Sequence, residues 1–336
     1  MQLDLRDYLS LITSGKVREI YEIDESTLLF VATDRISAYD VVMNNAIGEK
    51  GAILTQLSAF WCTYLQSAIP SLRTHIVSLD LPSTLQQQLP PHLASELQRR
   101  SMVVKRLKVF PLESIVRGYL SGSAWSSYQK DGRVHGMALA PGLRESEKLD
   151  QPLWTPSTKA EAGEKDENIS PAEGAWHLFV DATLLRPLNL IMTDALADGF
   201  IVTAAQIVGK EYADQIATLS LQIYEKASAF AAERGIIIAD TKFEFALDES
   251  TTPPSVVLVD EVLTPDSSRF WSAESYQAGQ GQDSYDKQYL RDWLVRTGQK
   301  GEKGVEMPDQ VVSSTIRRYK DAWEKLVGTK WDTVPS

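Results

Sequence analysis

The sequence predicts a mixed α/β fold with a β-rich N-terminal lobe, a larger central α/β lobe and a C-terminal helical cap. Three observations support this: short β-rich runs alternate with turns near the N-terminus, a helical pattern leads directly into a strand pattern in the centre, and two amphipathic patterns close the chain. We place the parts at residues 1–108, 109–280 and 281–336. A chain of 336 residues that is 43% hydrophobic can bury a substantial core.

In the N-terminal lobe, residues 16–23 (KVREIYEI) and 27–34 (TLLFVATD) have the composition of strands. A helix is predicted over residues 52–65 by the spacing of Leu54, Leu57, Trp61 and Leu65. Two β-branched runs then flank Pro111, and we expect the proline to separate them because it cannot donate to a strand ladder. The junction between the lobes is placed near Lys108.

The central lobe contains a predicted surface loop, a helix and a hairpin. Residues 133–170 are rich in Gly, Pro, Glu and Lys and show little periodicity, which is typical of a long functional loop. Apolar residues then recur at helical spacing over residues 212–234, ending at Gly235. The strands that follow, 236–245 and 256–263, read as a β-hairpin. The cap should hold two helices, one through Tyr285, Tyr289 and Trp293 and one through Ile316, Tyr319, Trp323 and Leu326.

Composition restricts the possible functions. The single cysteine, Cys62, excludes an intrachain disulfide framework and a Cys-rich zinc site. The N-terminus has charges where a signal peptide needs an apolar core, and no run is long enough to span a membrane. A net charge of −11 argues against a nucleic-acid partner. We therefore expect a cytoplasmic protein, monomeric, with small-molecule ligands and without a membrane association.

The hairpin carries unexpected charges. In the stretch "IIIADTKFEF", Asp240, Lys242 and Glu244 share one strand face, and the partner run "VVLVDEVL" places Asp260 and Glu261 among apolar residues. One interpretation is a half-exposed strand with solvated charges. The other is a functional site: pairing of the strands would bring Glu244 near Asp260, and two carboxylates beside a lysine suit Mg²⁺ that bridges phosphate oxygens.

Seven blocks in order carry a family resemblance: GKVREIYEID, LLFVATDRISAYDVVM, EKGAILTQLSAFW, PLESIVRGYLSGSAW, TPSTKAEAGEKDENISP, IIIADTKFEF and LVDEVLTPDSSRFW. Together they resemble the phosphoribosylaminoimidazole-succinocarboxamide synthases of fungi. The resemblance implies an N-terminal lobe similar to that of protein kinases, an ATP-grasp-like central lobe, and ATP bound between them. It also implies a ligase that joins carboxyaminoimidazole ribotide to L-aspartate, with ATP consumed through an acyl phosphate.

The resemblance also implies roles for particular residues. The ATP phosphates, adenine and ribose are assigned to Gly15, Lys16, Arg18, Lys105 and Glu113, and Mg²⁺ to Glu244 and Asp260. The ribotide is assigned to Ser37, Arg117, Ser123 and Arg269, and the reacting groups to Lys242, Asp240 and Lys159. Each of these side chains also has an ordinary interpretation, such as a solvated lysine or an arginine that caps a helix.

One segment departs from the family pattern. Residues 174–203 form a thirty-residue apolar insertion between blocks that are otherwise contiguous in the family. It is either a genuine surface insertion or a translated intron. Two functions other than the ligase therefore stay open: a small-molecule kinase with the same ATP and Mg²⁺ site, and a nucleotide-binding protein whose catalysis the insertion has disabled.

Overall fold

The computed structural model describes residues 5–158, 169 and 203–333. Two antiparallel sheets form the framework of this part of the chain. The first has the order β1-β2-β3-β7-β6 and the second the order β11-β8-β13-β14, with β12 also paired to β8 and β15 to β13. A mixed α/β fold is thus confirmed.

The strands of the N-terminal sheet are β1 (Ser10–Ser14), β2 (Arg18–Glu22), β3 (Thr27–Ala32), β6 (Ile76–Ser78) and β7 (Ser101–Lys105). Those of the central sheet are β8 (Lys108–Tyr119), β11 (Lys148–Trp154), β12 (Ser157–Thr158), β13 (Ile236–Asp248), β14 (Ser255–Val259) and β15 (Ser268–Ser272). Two small ribbons pair β4 (Ser37–Ala38) with β5 (Val41–Val42) and β9 (Arg133–Val134) with β10 (Met137–Ala138).

The described residues contain eight α-helices. They are α1 (Lys50–Ala68), α2 (Ser83–Gln88), α3 (Pro91–Arg100), α4 (Gly122–Asp131), α5 (Ala204–Val208), α6 (Lys210–Ala232), α7 (Gln288–Arg296) and α8 (Asp309–Val327). Helices α1, α6 and α8 share one large apolar cluster with strands β8, β13 and β14. Trp61 of α1 is fully buried there against Phe230 of α6, with ring centroids 5.4 Å apart. The predicted helices and the hairpin are present, but β14 ends at Val259, so Asp260 and Glu261 follow the strand instead of lying in it, and Tyr285 precedes α7.

One extra residue in β13 determines which side chains face this core. Ile238 pairs with Phe270 of β15 but Asp240 pairs with Arg269, so Ala239 is inserted as a β-bulge. Because side chains alternate along a strand, the insertion shifts the alternation by one position. Ile238 before the bulge and Phe243 after it therefore both lie in the core cluster. Asp240, Lys242 and Glu244 are left together on the opposite face.

A short segment connects the two sheets. The N–H of His75 donates to the carbonyl of Leu258 in β14 at 3.1 Å, and the carbonyl of His75 accepts from the N–H of Lys105 in β7 at 2.8 Å. Thr74 also forms a parallel bridge with Leu258. The relative position of the N-terminal and central sheets is thus fixed by backbone hydrogen bonds as well as by the direct link from β7 to β8.

Two predictions about strand boundaries were wrong. Pro111 does not separate the strands but lies inside β8, where the register against β13 shifts between Val109 and Glu113. A bulge needs no donor at this position, so proline is tolerated. The predicted loop 133–170 contains β11, paired to β8 through a second register shift that hides its periodicity. Residues 159–168 and 170 of that loop, and most of the insertion 174–203, lie outside the described residues.

The boundaries 1–108, 109–280 and 281–336 stay predictions. Among the described helices, we find none with the length and hydropathy needed to cross a membrane.

The packing of β8 against α6 can be tested at Gly118. A Cβ at this position of β8 would overlap the hydroxyl of Tyr224, which donates to the carbonyl of Ile238 at 2.7 Å. We expect Gly118→Ala to lower the free energy of unfolding by about 1–3 kcal/mol, because the tyrosine must leave its partner. Urea denaturation measures this.

The matched control for this substitution is Gly48→Ala, since a Cβ at Gly48 meets nothing within 4 Å. It should leave the unfolding midpoint almost unchanged. Equal stability of Gly118→Ala and the parent protein would contradict the packing described here.

Candidate active site

Asp240 occupies the centre of a group of buried charges. It lies on β13 between two flanking strands, opposite Arg117 of β8 and Arg269 of β15. Arg117 Nη1 donates to Asp240 Oδ2 at 3.0 Å, and Arg269 Nη1 donates to the same oxygen. Asp240 raises the pKa of Arg269, whereas burial lowers the pKa of Arg117 in spite of Asp240. The neighbouring strands thus hold two guanidinium groups side by side.

The remaining nitrogens of Arg117 are also occupied. Its Nε donates to Thr155 Oγ1 at 3.0 Å and its Nη2 to Ser123 Oγ at 3.3 Å. Ser123 lies in the first turn of α4. The planar group of Arg117 is therefore fixed in orientation, which suits recognition of a phosphate or carboxylate.

These groups open onto a cavity of about 200 Å³. The cavity is lined by Arg117, Ser123, Asp240, Lys242 and Arg269, and also by Ser267, Ser268 and Arg291. Four cations line the cavity, Arg117, Lys242, Arg269 and Arg291, against the two carboxylates Asp240 and Asp266, which leaves a surplus of two positive charges. The cavity is accordingly suited to a dianion such as a phosphate monoester.

Beneath the cavity, Asp266 is tied to three other elements. Lys50 Nζ of α1 lies 2.8 Å and Lys287 Nζ lies 3.2 Å from Asp266 Oδ2, and Tyr319 of α8 donates to Oδ1. Burial alone would raise the pKa of Asp266, but the two lysines hold it below its ordinary value. The cluster anchors the turn that carries Ser267, Ser268 and Arg269.

A second group lies further along the same face of β13. Lys242 Nζ donates to Glu113 Oε1 at 2.6 Å and to Glu244 Oε1 at 3.3 Å. Glu113 and Glu244 lie directly opposite each other on β8 and β13. Burial opposes the charge on Lys242, but the two carboxylates raise its pKa above the ordinary value. This lysine is therefore a permanent cation that is half-buried next to the cavity.

The other predicted metal ligand, Asp260, follows the end of β14. Glu244 pairs with Val259, the residue before Asp260. Asp260 forms an ion pair with Arg18 of β2, and Glu261 Oε2 lies 3.9 Å from the same guanidinium. Burial lowers the pKa of His75 to about 3. The charge of Arg18 lowers this pKa further, and the charge of Glu244 raises it. Glu244 thus lies opposite the residue that precedes Asp260, and a metal ion shared by the two carboxylates stays a prediction.

Four of the predicted binding residues lie in the N-terminal lobe, away from the cavity. Gly15 and Lys16 form the turn between β1 and β2, and Lys16 Nζ donates to the exposed Asp40 at 2.6 Å. Lys105, at the end of β7, forms an ion pair with Asp248 at 2.9 Å. Ser37 is half-buried in β4. None of these four lines the cavity, and Lys159 lies outside the described residues.

The structure also identifies residues that sequence reasoning missed. Thr155 and Asp266 are buried polar residues whose partners are distant in sequence. Arg291 of α7 also lines the cavity. The sequence gives no local signal for these three residues, because their contacts depend on how distant elements pack.

The donor set around Glu244 fits Mg²⁺ of the kind that is bound by one or two carboxylates together with substrate phosphates. Within the described ranges, no three side chains are grouped as a self-sufficient metal site. A nucleotide would have to supply the other oxygens, and Asp260 would have to share its contact with Arg18.

Comparisons with known proteins identify the family. The family model described as SAICAR synthetase matches residues 11–308. The phosphoribosylaminoimidazole-succinocarboxamide synthase of Cyberlindnera jadinii is 48% identical, over 98% of this chain and 99% of the relative. That of Saccharomyces cerevisiae is 47% identical, over 98% and 97% of the two chains.

Among solved structures, a SAICAR synthase from Saccharomyces cerevisiae in complex with SAICAR has a TM-score of 0.80 at 45% identity. The match covers 98% of this chain and 99% of the other. Sequence and fold therefore agree over almost the full length, and the chain belongs to the SAICAR synthetase family.

Proposed function

We propose that the protein catalyses the ATP-dependent ligation of carboxyaminoimidazole ribotide with L-aspartate in purine biosynthesis. The observation that carries this proposal is a cavity with a surplus of positive charge, built from Arg117, Arg269 and Arg291, that continues along β13 into the Lys242, Glu113 and Glu244 group. The dianionic phosphate of the ribotide and the phosphates of a nucleotide thus have adjacent places along β13. The names of the relatives support the same reaction.

The arginines bind the ribotide phosphate. Arg117 and Arg269 are oriented by Asp240, and Ser123 and Ser268 add hydroxyl donors around the same cavity. Held in this way, the ribotide carboxylate is directed along β13 towards Lys242. Positioning of this kind converts an encounter of several substrates into an effectively intramolecular reaction.

Chemistry then takes place beside Lys242. An oxygen of the ribotide carboxylate attacks the γ-phosphoryl group of ATP, ADP leaves, and an acyl phosphate forms. The aspartate amine attacks the acyl carbon, loses a proton, and displaces inorganic phosphate. Because the pKa of Lys242 is raised, its charge is available to stabilise the phosphoryl oxygens at any physiological pH.

Mg²⁺ held by Glu244 and Asp260 would neutralise the phosphate oxygens of the nucleotide. Lys16, in the turn before β2, and Arg18, the first residue of β2, would supply further positive charge to the phosphates. We also propose a cytoplasmic monomer. The presence of only one cysteine supports a reducing compartment.

One assay tests the proposal against its alternatives. ATP consumption is measured with the ribotide in the presence and absence of L-aspartate, and the succinocarboxamide product is followed by mass spectrometry. The ligase requires aspartate for product formation. ATP turnover that continues unchanged without aspartate would indicate a kinase, and nucleotide binding without turnover would indicate a protein that has lost catalysis.

Glu244→Gln tests the metal assignment through binding. Removing one carboxylate should weaken Mg²⁺-dependent ADP binding roughly tenfold or more, because the amide is a poorer ligand for a hard cation. Calorimetric titration of ADP at several Mg²⁺ concentrations measures this effect.

Glu22→Gln is the matched control for this experiment, since Glu22 is an exposed carboxylate of the N-terminal sheet paired with Arg106 at 3.1 Å. It should leave the Mg²⁺ dependence unchanged. If Glu244→Gln and the parent protein share one Mg²⁺ dependence, Glu244 is not a ligand.

Gly122→Ala tests the arginine cavity. A Cβ at Gly122 would overlap the guanidinium of Arg269, so the arginine must move away from its present position. We expect the KM for the ribotide to rise roughly tenfold, the equivalent of one lost charge-assisted contact. Steady-state kinetics with varied ribotide measure the effect.

Gly132→Ala provides the control at the other end of α4. Both glycines have positive φ, 56° and 75°, so both substitutions strain the backbone, but nothing lies within 4 Å of a Cβ at Gly132. The KM for the ribotide should not change in this variant. An equal rise in both variants would show that helix strain, not Arg269, determines binding.

A further inference from the structure

The turn between β1 and β2 is held by a single arginine from elsewhere in the chain. Arg35 Nη2 donates to the carbonyl of Gly15 at 3.0 Å, and Arg35 Nε donates to the carbonyl of Lys16 at 3.2 Å. Both hydrogen bonds lie at the protein surface, and the side chain of Arg35 is 28% exposed. The guanidinium thus bridges two consecutive peptide groups of a short turn.

The third nitrogen of the Arg35 guanidinium is also hydrogen-bonded. Arg35 Nη1 donates to Glu19 Oε1 at 3.1 Å, and Tyr21 Oη donates to the other oxygen of Glu19 at 2.7 Å. Glu19 is 7% exposed. Because a buried carboxylate and a tyrosine define its orientation, the arginine fork has little freedom to rotate.

The next carbonyl along the turn is held by the same segment. Both the N–H and the hydroxyl of Thr33 donate to the carbonyl of Val17, at 2.9 and 2.8 Å. In a trans peptide the N–H points opposite to the carbonyl of the preceding residue. The N–H groups of Lys16 and Val17 are therefore directed away from Arg35. Adjacent backbone N–H groups directed to one side form a concavity that suits anions.

The same segment contacts the turn at another point and carries a ribotide candidate. Lys16 Nζ donates to Asp40, and Ser37 lies between Arg35 and Asp40 in β4. One stretch of eight residues, 33–40, thus connects the candidate phosphate turn to a candidate ribotide residue. A displacement of Arg35 would change both the peptide orientation of the turn and its distance from Ser37.

We propose that Arg35 is a positioning residue for the nucleotide: its guanidinium orients the backbone amides of the Gly15–Lys16 turn towards the phosphates. This inference rests on the proposed function, in which the turn meets ATP. Arg35 touches no substrate itself and acts through the two carbonyls.

The test compares two ligands that differ in phosphate. Arg35→Met should weaken ADP binding in the presence of Mg²⁺ roughly tenfold, because two charge-assisted hydrogen bonds to the turn are lost. Adenosine binding should stay unchanged, since adenosine has no phosphate for the turn to meet. Calorimetry gives both affinities. Arg35→Lys should resemble Arg35→Met, because one ammonium cannot bridge two carbonyls and a carboxylate.

Arg73→Met is the matched control. Arg73 Nη1 also donates to two backbone carbonyls, those of Pro70 at 3.0 Å and Leu72 at 3.3 Å, but in a different turn. It should leave the ratio of ADP to adenosine affinity unchanged. If Arg35→Met lowers both affinities equally, Arg35 only stabilises the lobe and the inference is wrong.

Lys16→Met separates this inference from the proposed function. If Lys16→Met lowers the ADP to adenosine ratio and Arg35→Met does not, the inference about Arg35 fails alone. If neither variant changes the ratio, the turn does not bind phosphate and that part of the proposed function fails too. Should Arg35→Met not fold, Glu19→Gln replaces it. It keeps the arginine but neutralises its partner, and a change of ratio in the same direction supports the inference, whereas an unchanged ratio overturns it.

Discussion

The inserted residue Ala239 is the constraint on which the rest of the central sheet depends. A strand without a bulge would place Ile238 and Asp240 on the same face, because side chains alternate with a period of two. The bulge allows β13 to keep Ile236 and Ile238 in the core before the insertion and Phe243 and Phe245 in the core after it. The face opposite the core then becomes a continuous polar surface from Asp240 to Glu244. A local irregularity of the backbone thus permits a dry core and a charged site on one strand.

The charges on this face are costly for folding, and their arrangement reflects binding more than stability. Asp240 is 4% exposed, and its charge is compensated by two arginines, one on each neighbouring strand. A buried ion pair seldom gains more than its desolvation costs, and an unbalanced buried charge is strongly unfavourable. The cavity nevertheless keeps a surplus of positive charge, with Arg291 added to Arg117 and Arg269. An anionic ligand would complete the compensation, so part of the folding free energy is exchanged for affinity.

Local periodicity accounts for the parts of the fold that the sequence predicts well. The helix over residues 212–234 and the hairpin that follows depend on contacts within a few residues, and the structure has them as α6, β13 and β14. Residues whose role depends on pairing between distant strands were harder to predict. The bulge at Ala239 is defined by the pairing of β13 with β15, and the same pairing places Arg269, assigned to the ribotide from the sequence, opposite Asp240. The register shift that tolerates Pro111 is also non-local.

The site residues illustrate the same division. The alternation of Asp240, Lys242 and Glu244 showed that they share a face, but charge patterns alone did not distinguish a solvated strand from a site. What favoured a site was the apolar context of Asp260, because a carboxylate there needs a cationic partner, and Arg18 from the other sheet supplies it. The identity of that partner could not be predicted, since the two residues are brought together only by the packing of one sheet against the other.

Contacts between the two sheets determine whether the reacting groups are aligned. The arginine cavity belongs to the central sheet, whereas the Gly15–Lys16 turn belongs to the N-terminal sheet. The reacting groups are therefore aligned only if the distance between the two sheets stays constant. Two of the connections that maintain it are the backbone bonds of His75 to Leu258 and Lys105 and the ion pair of Arg18 with Asp260. The first is a hydrogen-bonded backbone link, while the second is a pair of side chains that can exchange partners. A nucleotide with its metal would meet the second connection and not the first, so ligand binding can change the contact at the mouth of the site while the frame behind it stays rigid.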